Sequence, residues 1–324
     1  MNSESEKNTP MKENMLTAII PTKNHGGYLN HLISNVIFAE QSPVTNLLIC
    51  NDGSTDDTAA ILEKFSGDKR IRVFQNEKSM GAAASAMMLY GHLETPYLMF
   101  LASDDYFFPG QIAKLFDGMI KNDAYIGFGK YVIEDAGKMI ELKHPGWQAR
   151  CQPGTDEFCS ILGYDHYTSF IVAIINRECL PKYGANNSPW DFTLDRMARV
   201  DGLGEFRAHD WSLALDIARN YPDRFYFLDE YCGCFRKVAS QLSSDERYAH
   251  TGRAAYEMAL LILKHLQDYE IRKRVKNSGP FRNAIDSLLY TKFQQMTDAA
   301  KQSSNFSDIY KPVLLAADTL LSNM

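Results

Sequence analysis

The chain has 324 residues and a mass of 36.7 kDa, and its formal net charge is −6 because 40 acidic residues outnumber 34 basic ones. Hydrophobic residues make up 45% and charged residues 23%, a globular composition that excludes a mainly disordered chain, a collagen-like fibre or a coiled-coil rod. The negative balance also argues against a protein that coats nucleic acid, because such binding requires clustered positive charge.

The sequence predicts a cytoplasmic protein with reduced thiols. Residues 1–10 are polar and lack the apolar core of an export signal, and runs such as 258–263 are too short to span a bilayer. The six cysteines are spread along the chain and do not form a disulfide framework. Cys232 and Cys234 lie in a strand-like run without a second ligand pair, so we interpret them as buried thiols.

The first 130 residues show strands alternating with helices, after a tail at 1–14 that we expect to be flexible. The predicted strands are 16–20, 47–50, 71–74 and 97–101. The predicted helices are 27–39, 58–65, 81–93 and one that begins after Pro109. This alternation predicts an α/β fold with a doubly wound, mostly parallel sheet covered on both faces.

The pattern changes after residue 130. We predict strands at 124–143 with a turn at 135–137, at 169–175 and at 225–235, helices at 158–162 and 209–219, and loops at 182–208. Helices are predicted at 251–277, 281–298 and 305–322. Residues 246–324 carry 11 basic and 8 acidic side chains, a balance of +3 against −9 for the first 245. We therefore expect 246–324 to be a C-terminal helical subdomain.

Polar side chains follow three of the predicted strands: Asn24, Asp52, and the pair Asp104 and Asp105. Parallel sheets bind ligands at the carboxyl ends of their strands, so this placement indicates a site. Adjacent carboxylates are costly unless a cation lies between them, and Mg²⁺ or Mn²⁺ carrying a diphosphate is a suitable candidate. The alternative is that the pair caps the helix after Pro109.

The loop after the second strand has its own pattern. Gly53 permits a tight turn, and Asp52 can accept a hydrogen bond from a base N–H or a ribose hydroxyl. Asp56 is placed to cap the following helix. The alternative interpretation of each motif is a plain turn.

Four segments in this order resemble the motifs of family-2 inverting glycosyltransferases with a GT-A fold: Pro21 to Asn24, Asn51 to Asp56, Asn76 to Gly81, and Ser103 to Asp105. The resemblance covers about residues 15–245, where it implies a GT-A domain. It implies transfer of a sugar from a nucleotide-sugar, a UDP-sugar by default, to a saccharide, lipid-linked or protein hydroxyl in polysaccharide or glycoconjugate synthesis. The donor-binding residues it implies are Pro21, Thr22, Asn24, Asp52, Ser103 and Asp104, with Asp104 and Asp105 as ligands of Mn²⁺ or Mg²⁺.

Two positions depart from the family pattern. Ala102 stands where the family often has an aspartate, so metal binding would rest on the remaining pair. Ala86 and Met87 stand where the family often has Arg-Asn, which removes a charge near the donor sugar.

The family also implies a general base that takes a proton from the acceptor hydroxyl. It places a carboxylate at the start of a helix on the acceptor side, and Asp210 matches that position. The alternative is that Asp210 only caps its helix. We interpret His209 as an orienting neighbour rather than a second base.

The segment Phe235-Arg236-Lys237, followed by Ser240, Ser243 and Ser244, resembles a family loop that closes over the diphosphate. Arg236 would then contact phosphate, and the alternative is a surface ion pair. Trp190 and Trp211 are candidates for stacking on acceptor sugars, although core packing is the simpler role for each.

Two other functions are alternatives to the transferase. A sugar-1-phosphate nucleotidyltransferase needs a Gly-rich basic loop after the first strand, and residues 21–25 do not form one. A degenerate copy that only binds nucleotide-sugar or scaffolds a partner would explain Ala102. The basic run 272–276 leaves three roles open for the helical region: peripheral membrane contact at the inner face, homo-oligomer contact, or a solvated face.

Overall fold

Alternating strands and helices form the first part of the fold. The computed structural model describes residues 15–150, 156–164, 168, 170–198, 206–238, 252–279, 282–283, 288–302 and 309–324. The first elements are β1 (Leu16–Thr22), α1 (Gly26–Ile37), β2 (Val44–Asp52), α2 (Thr58–Glu63), β3 (Ile71–Asn76), α3 (Ala82–Tyr90) and β4 (Tyr97–Phe100). The alternation predicted from the apolar runs is confirmed.

A short strand and an antiparallel region follow. The next elements are β5 (Tyr106–Phe107), α4 (Gln111–Lys121), β6 (Ile126–Asp135), β7 (Lys138–Glu141), α5 (Pro145–Arg150), α6 (Glu157–Tyr164), β8 (Ala173–Asn176), α7 (Phe192–Ala198), α8 (His209–Asn220) and β9 (Phe225–Lys237). The turn predicted at 135–137 is confirmed. The strand predicted at 169–175 begins late, because Phe170–Val172 is a 3₁₀ turn. The loop prediction for 182–208 missed α7.

All described strands belong to one sheet, ordered β3-β2-β1-β4-β8-β6-β9-β5 with β7 paired to β6. The pairs β3–β2, β2–β1 and β1–β4 are parallel. β8 runs antiparallel to both β4 and β6, whereas β9 is parallel to β6. The parallel strands therefore form one half of the sheet, and the mixed strands form the second half.

Alternate residues of β1 separate two cores, as the period of a strand requires. Ile19 packs in one core with residues of α3, α6, α8 and the C-terminal helices, while Ala18 and Ile20 pack in the other with α1, α2 and α4. Both faces of the sheet are thus covered, which confirms the doubly wound arrangement.

The described C-terminal helices are α9 (Arg253–Leu266), α10 (Tyr269–Lys276), α11 (Tyr290–Ala300) and α12 (Lys311–Ser322). The single helix predicted for 251–277 is divided, because Asp268 caps a new helix by accepting the N–H groups of Glu270 and Ile271. α9 shares its core with α8 and the sheet. The predicted tail at 1–14 and the predicted boundary at 245/246 both lie outside the described residues.

Among the described residues, no helix combines the length and the apolar character needed for a bilayer crossing.

Candidate active site

Parallel strands bring the predicted donor-side residues to one edge of the sheet. β1 lies between β2 and β4, with Thr22 paired to Asn51 and Ile19 paired to Phe100. Because these strands run in one direction, the segments that follow them emerge on one side. That edge carries the predicted residues Pro21, Thr22, Asn24, Asp52, Ser103, Asp104 and Asp105.

Asp104 and Asp105 form a buried carboxylate pair, and each residue is 4% exposed. Burial, followed by the charge of Asp104, raises the pKa of Asp105 well above its ordinary value, against the opposing effect of the hydrogen bond from the Arg236 amide. The predicted alternative of a helix cap is wrong, because α4 has Gly110 as its N-cap and no side-chain cap.

The pair has the chemistry that a divalent cation requires. A bound cation would favour ionisation of both carboxylates, which burial opposes. Among the described residues, no group of three or more His, Cys, Asp or Glu could hold a metal ion. A cation here would therefore take further oxygens from a bound diphosphate or water, the usual arrangement for Mg²⁺.

Arg236 braces the carboxylate pair from the end of β9. Its backbone N–H donates to Oδ1 of Asp105 at 2.9 Å, and its Nη1 donates to the carbonyl of Asp104 at 3.0 Å. Its Nε donates to Glu134 at 3.1 Å, and the guanidinium lies 4.3 Å from the ring centroid of Tyr106. The arginine is thus close to the predicted phosphate position, but it is 13% exposed and already bound. Its contact with phosphate stays a prediction.

Asp52 is saturated with hydrogen bonds. Its Oδ1 accepts from Asn76 Nδ2 at 2.7 Å and Met80 N at 2.8 Å, while its Oδ2 accepts from Ser79 Oγ at 2.7 Å and Gly81 N at 3.0 Å. Burial acts to raise the pKa of Asp52, but these bonds outweigh burial and the pKa lies below its ordinary value. The carboxylate therefore holds the 76–81 loop, a role the sequence did not reveal.

Gly53 allows the 76–81 loop to approach Asp52 closely. Its φ is +67°, and a Cβ there would lie 2.8 Å from the Ser79 amide nitrogen. The tight turn predicted at this glycine is confirmed. Asp56 accepts the amides of Gly26 and Thr58, so it joins the starts of α1 and α2.

Two predicted residues of the first loop differ in their bonding. Asn24 adopts φ +55°, receives the Thr55 amide on its Oδ1 at 2.8 Å and donates its own amide to Ser54 at 2.9 Å. Thr22 is 3% exposed, and its hydroxyl has no hydrogen-bond partner among the residues that the structure describes. Buried hydroxyls are normally paired, so Thr22 is a candidate contact for a ligand at the strand end.

Ser103 contacts a residue that the sequence motifs did not indicate. Its Oγ lies 2.7 Å from Nδ1 of His25, at the start of α1. His25 directly follows the first strand-end motif, and that position was the available signal.

Asp210 lies in the first turn of α8, as predicted. Its Oδ1 accepts the N–H of Trp211 at 2.8 Å. Asp210 is not the N-cap of this helix, because that position belongs to Ala208, which makes no side-chain cap. The alternative that Asp210 only caps α8 stays open, because its carboxylate accepts a first-turn amide of the helix, and its role as general base remains a prediction.

Tyr131 on β6 connects the two sets of predicted residues. The pKa of Tyr131 is raised to about 12, first by burial and then by the charges of Asp210 and Asp105. Both carboxylates therefore lie near enough to act on the same phenol. The sequence did not identify Tyr131, because only the pairing of β6 with β9 brings it beside these elements.

The predicted tryptophan positions are largely enclosed. Trp190 is 6% exposed and packs against Phe100 with centroids 4.6 Å apart, and Trp211 is 7% exposed. His209 packs against the ring of Phe206 at 5.2 Å. This burial agrees with the core-packing interpretation of both tryptophans.

A cavity of about 1250 Å³ lies between the end of α3, β8 and the segment 182–196. Its lining includes Met87, Arg177, Tyr183, Asp191 and Arg196, and none of the predicted catalytic or metal-binding residues. It is therefore separate from the carboxylate pair.

The cysteines of β9 are buried, and one arginine of the basic run 272–276 is held by an ion pair. Cys232 and Cys234 are buried free thiols in β9, as interpreted. In the basic run 272–276, Arg274 is bound within the chain because its Nε donates to Asp156 at 2.7 Å. The predicted serines Ser240, Ser243 and Ser244 lie outside the described residues.

Comparison with solved structures shows the fold. The S. aureus TarS fragment 1–349, solved with UDP-GlcNAc, superposes with a TM-score of 0.59 and 16% identity, covering 94% of this chain and 79% of that one. The mannosyltransferase PcManGT from Pyrobaculum calidifontis, solved with GDP-Man and Mn²⁺, gives a TM-score of 0.54 and 13% identity, covering 96% and 81%. These similarities confirm the predicted GT-A fold.

Curated relatives match only part of their own length. An uncharacterized glycosyltransferase of Rickettsia felis is 30% identical over 138 residues, 42% of this chain and 23% of that protein. The Escherichia coli protein WfgD, a UDP-Glc:alpha-D-GlcNAc-diphosphoundecaprenol beta-1,3-glucosyltransferase, is 28% identical over 130 residues, 40% of this chain and 51% of that protein.

The region that matches a family model includes the strands whose ends form the sheet edge described above. The family model "Glycosyl transferase family 2" matches residues 17–180, just over half of the chain, from β1 to beyond β8. The chain therefore belongs to glycosyl transferase family 2.

Proposed function

We propose that this chain is an inverting, divalent-metal-dependent glycosyltransferase that moves a sugar from a nucleotide-sugar to a hydroxyl acceptor. The observation that carries the proposal is the buried Asp104–Asp105 pair at the sheet edge, with Asp105 and Asp210 both acting on the pKa of Tyr131. A donor-side carboxylate pair and a nearby acceptor-side carboxylate are what a single displacement needs.

On the donor side, Pro21 and Thr22 would contact the nucleoside. The unpaired Thr22 hydroxyl supports this assignment, because a ligand would satisfy it. Asn24 and Asp52 would shape the pocket by holding the loops at 54–55 and 76–81.

At the diphosphate, Asp104 and Asp105 would hold a divalent cation, with Ser103 and Arg236 beside them. Such a cation, when bound, offsets negative charge on the departing nucleoside diphosphate. The GDP-Man and Mn²⁺ bound to PcManGT support the cation assignment.

On the acceptor side, Asp210 would accept the proton of the attacking hydroxyl. The new bond forms between that oxygen and the anomeric carbon as the bond to the diphosphate oxygen breaks on the opposite face, so configuration inverts. We propose UDP as the nucleotide of the donor, because TarS was solved with UDP-GlcNAc and WfgD is named for UDP-Glc. The WfgD name also favours a lipid-linked saccharide acceptor in glycoconjugate synthesis.

The first test is binding of UDP, GDP, dTDP and CMP, each with Mn²⁺ and with EDTA, by calorimetry and thermal shift. A nucleotide at 100 times its Kd stabilises the native state by about 2.7 kcal/mol. We expect one nucleoside diphosphate to bind only with metal, and Asp104→Ala to lose this binding. Asp57→Asn is the control, because Asp57 is exposed and makes no side-chain cap bond. Absence of binding for every nucleotide would refute the donor site.

The second test is turnover of Asp210→Asn with the sugar of the nucleotide that binds. Loss of a general base lowers kcat by about 10²–10⁴-fold, while nucleotide affinity should not change. If the unaltered chain binds nucleotide but never releases it from a nucleotide-sugar, a degenerate binding or scaffold protein is the correct interpretation.

A further inference from the structure

A buried ion pair on α9 contacts the two residues that precede α8, the helix that carries Asp210 in its first turn. Glu257 and Arg253 are each 1% exposed, and Arg253 Nε donates to Glu257 Oε1 at 2.9 Å. The other oxygen, Oε2, accepts the backbone N–H groups of Arg207 at 3.0 Å and Ala208 at 3.1 Å. The carboxylate therefore joins a helix of the C-terminal region to the acceptor-side helix.

The start of α8 has no local substitute for this contact. Its N-cap is Ala208, a residue type that cannot cap through its side chain. In a capping box, the third helical residue returns a carboxylate to the N-cap amide, but the third residue here is Trp211. Glu257 supplies that carboxylate from another helix, close to the positive end of the α8 dipole.

We propose that Glu257 is a positioning residue that fixes the start of α8, and with it the Asp210 carboxylate, relative to the donor site. Arg253 orients Glu257 through its hydrogen bond and opposes the rise in the pKa of Glu257 that burial causes. This inference rests on the proposed function of Asp210. It also makes α9, which lies beyond the family match at 17–180, part of the machinery for transfer.

The geometry separates this role from donor binding. The donor-side residues follow β1, β2 and β4, whereas Glu257 binds the two amides that lead into the acceptor-side helix. A shift of α8 by about 1 Å is enough to lower turnover by about 10²-fold without touching the nucleotide. Turnover and UDP affinity should therefore respond differently.

The test uses Glu257→Gln and the double variant Arg253→Met/Glu257→Met in the full chain. The double variant removes both charges together, so it avoids leaving a buried charge unpaired and is expected to fold. The control is Asp268→Asn, which removes the partner of Arg219 at the other end of α8. Turnover is measured as UDP release from UDP-N-acetylglucosamine and UDP-glucose, and UDP affinity is measured by calorimetry with Mn²⁺.

We expect both Glu257 variants to lower turnover by about 10–100-fold with UDP affinity within about twofold, and the control to keep both values. A folded double variant with unchanged turnover would overturn the role of Glu257. An equal loss of turnover and UDP affinity would also overturn it, because general loosening of the fold would then be the cause. A wild-type chain that binds UDP but never releases it from either sugar overturns the proposed function itself.

Discussion

Replacement of Asp52 by asparagine distinguishes a residue that binds the nucleoside from one that builds the pocket. The carboxylate is 3% exposed and accepts four hydrogen bonds from the 76–81 loop. Asparagine keeps the shape but loses the charge, and its amide NH₂ must face a donor that formerly had an acceptor. We therefore expect Asp52→Asn to destabilise the fold as well as to weaken nucleotide binding.

The magnitude follows from the donors that lose their partner. A hydrogen bond to a charged group contributes about 1.5–3 kcal/mol, and a buried unsatisfied donor costs about 1–3 kcal/mol. In Asp52→Asn one amide N–H is left unpaired, and the other hydrogen bonds go to a neutral group instead of a charged one. Together these changes lower the free energy of unfolding by about 2–4 kcal/mol. This loss is large compared with a typical total stability of about 5–15 kcal/mol.

Urea unfolding at pH 7 measures this loss, with Asp57→Asn as the control. The pKa of folded Asp52 lies below its ordinary value, so its stabilising contribution is complete above pH of about 4 and is lost as pH falls through the lower folded pKa. A variant with wild-type stability that loses only UDP affinity would refute the reasoning and restore Asp52 as a direct nucleoside contact.

Two other substitutions test the core and the site. His265 is fully buried with a pKa lowered to about 3, first by burial and then by the charges of Lys264 and Arg219. Within the described part of the chain, neither ring nitrogen has a hydrogen-bond partner. Below pH of about 6.5 the unfolded state therefore binds a proton that the folded state does not bind. The free energy of unfolding should fall by about 1.4 kcal/mol per pH unit as the pH decreases, until the folded pKa is reached. His265→Leu should flatten this dependence between pH 7 and 5 in urea titrations, and an unchanged slope would contradict the assignment. Gly233→Ala should lower metal-dependent UDP affinity, because a Cβ there lies 2.6 Å from the carbonyl oxygen of Tyr106, the residue after Asp105. Gly27→Ala is the control, because a Cβ at Gly27 meets no atom within 4 Å. Calorimetry with Mn²⁺ on both variants decides the outcome.

The order of strands and helices in the first half could be predicted, because each element carries its own apolar period and its own turn residues. The strand-end positions of Asn24, Asp52 and Asp105 followed directly, since parallel strands share one edge. Elements without a local signal were missed. β5 is such an element, because it has two residues and exists through its pairing with β9. The break before α10 was missed although its signal, the N-cap Asp268, is local.

The composition and the strand-end motifs by themselves determined the fold class, the family and the edge of the sheet that carries the carboxylate pair, because these features are local in the chain. Tertiary structure decided what each polar group contacts. Asp52 binds the 76–81 loop, Arg236 braces the Asp pair, and Glu257 reaches the start of α8. These contacts join residues 24 to 132 positions apart, and no local pattern encodes which distant group a buried carboxylate will meet.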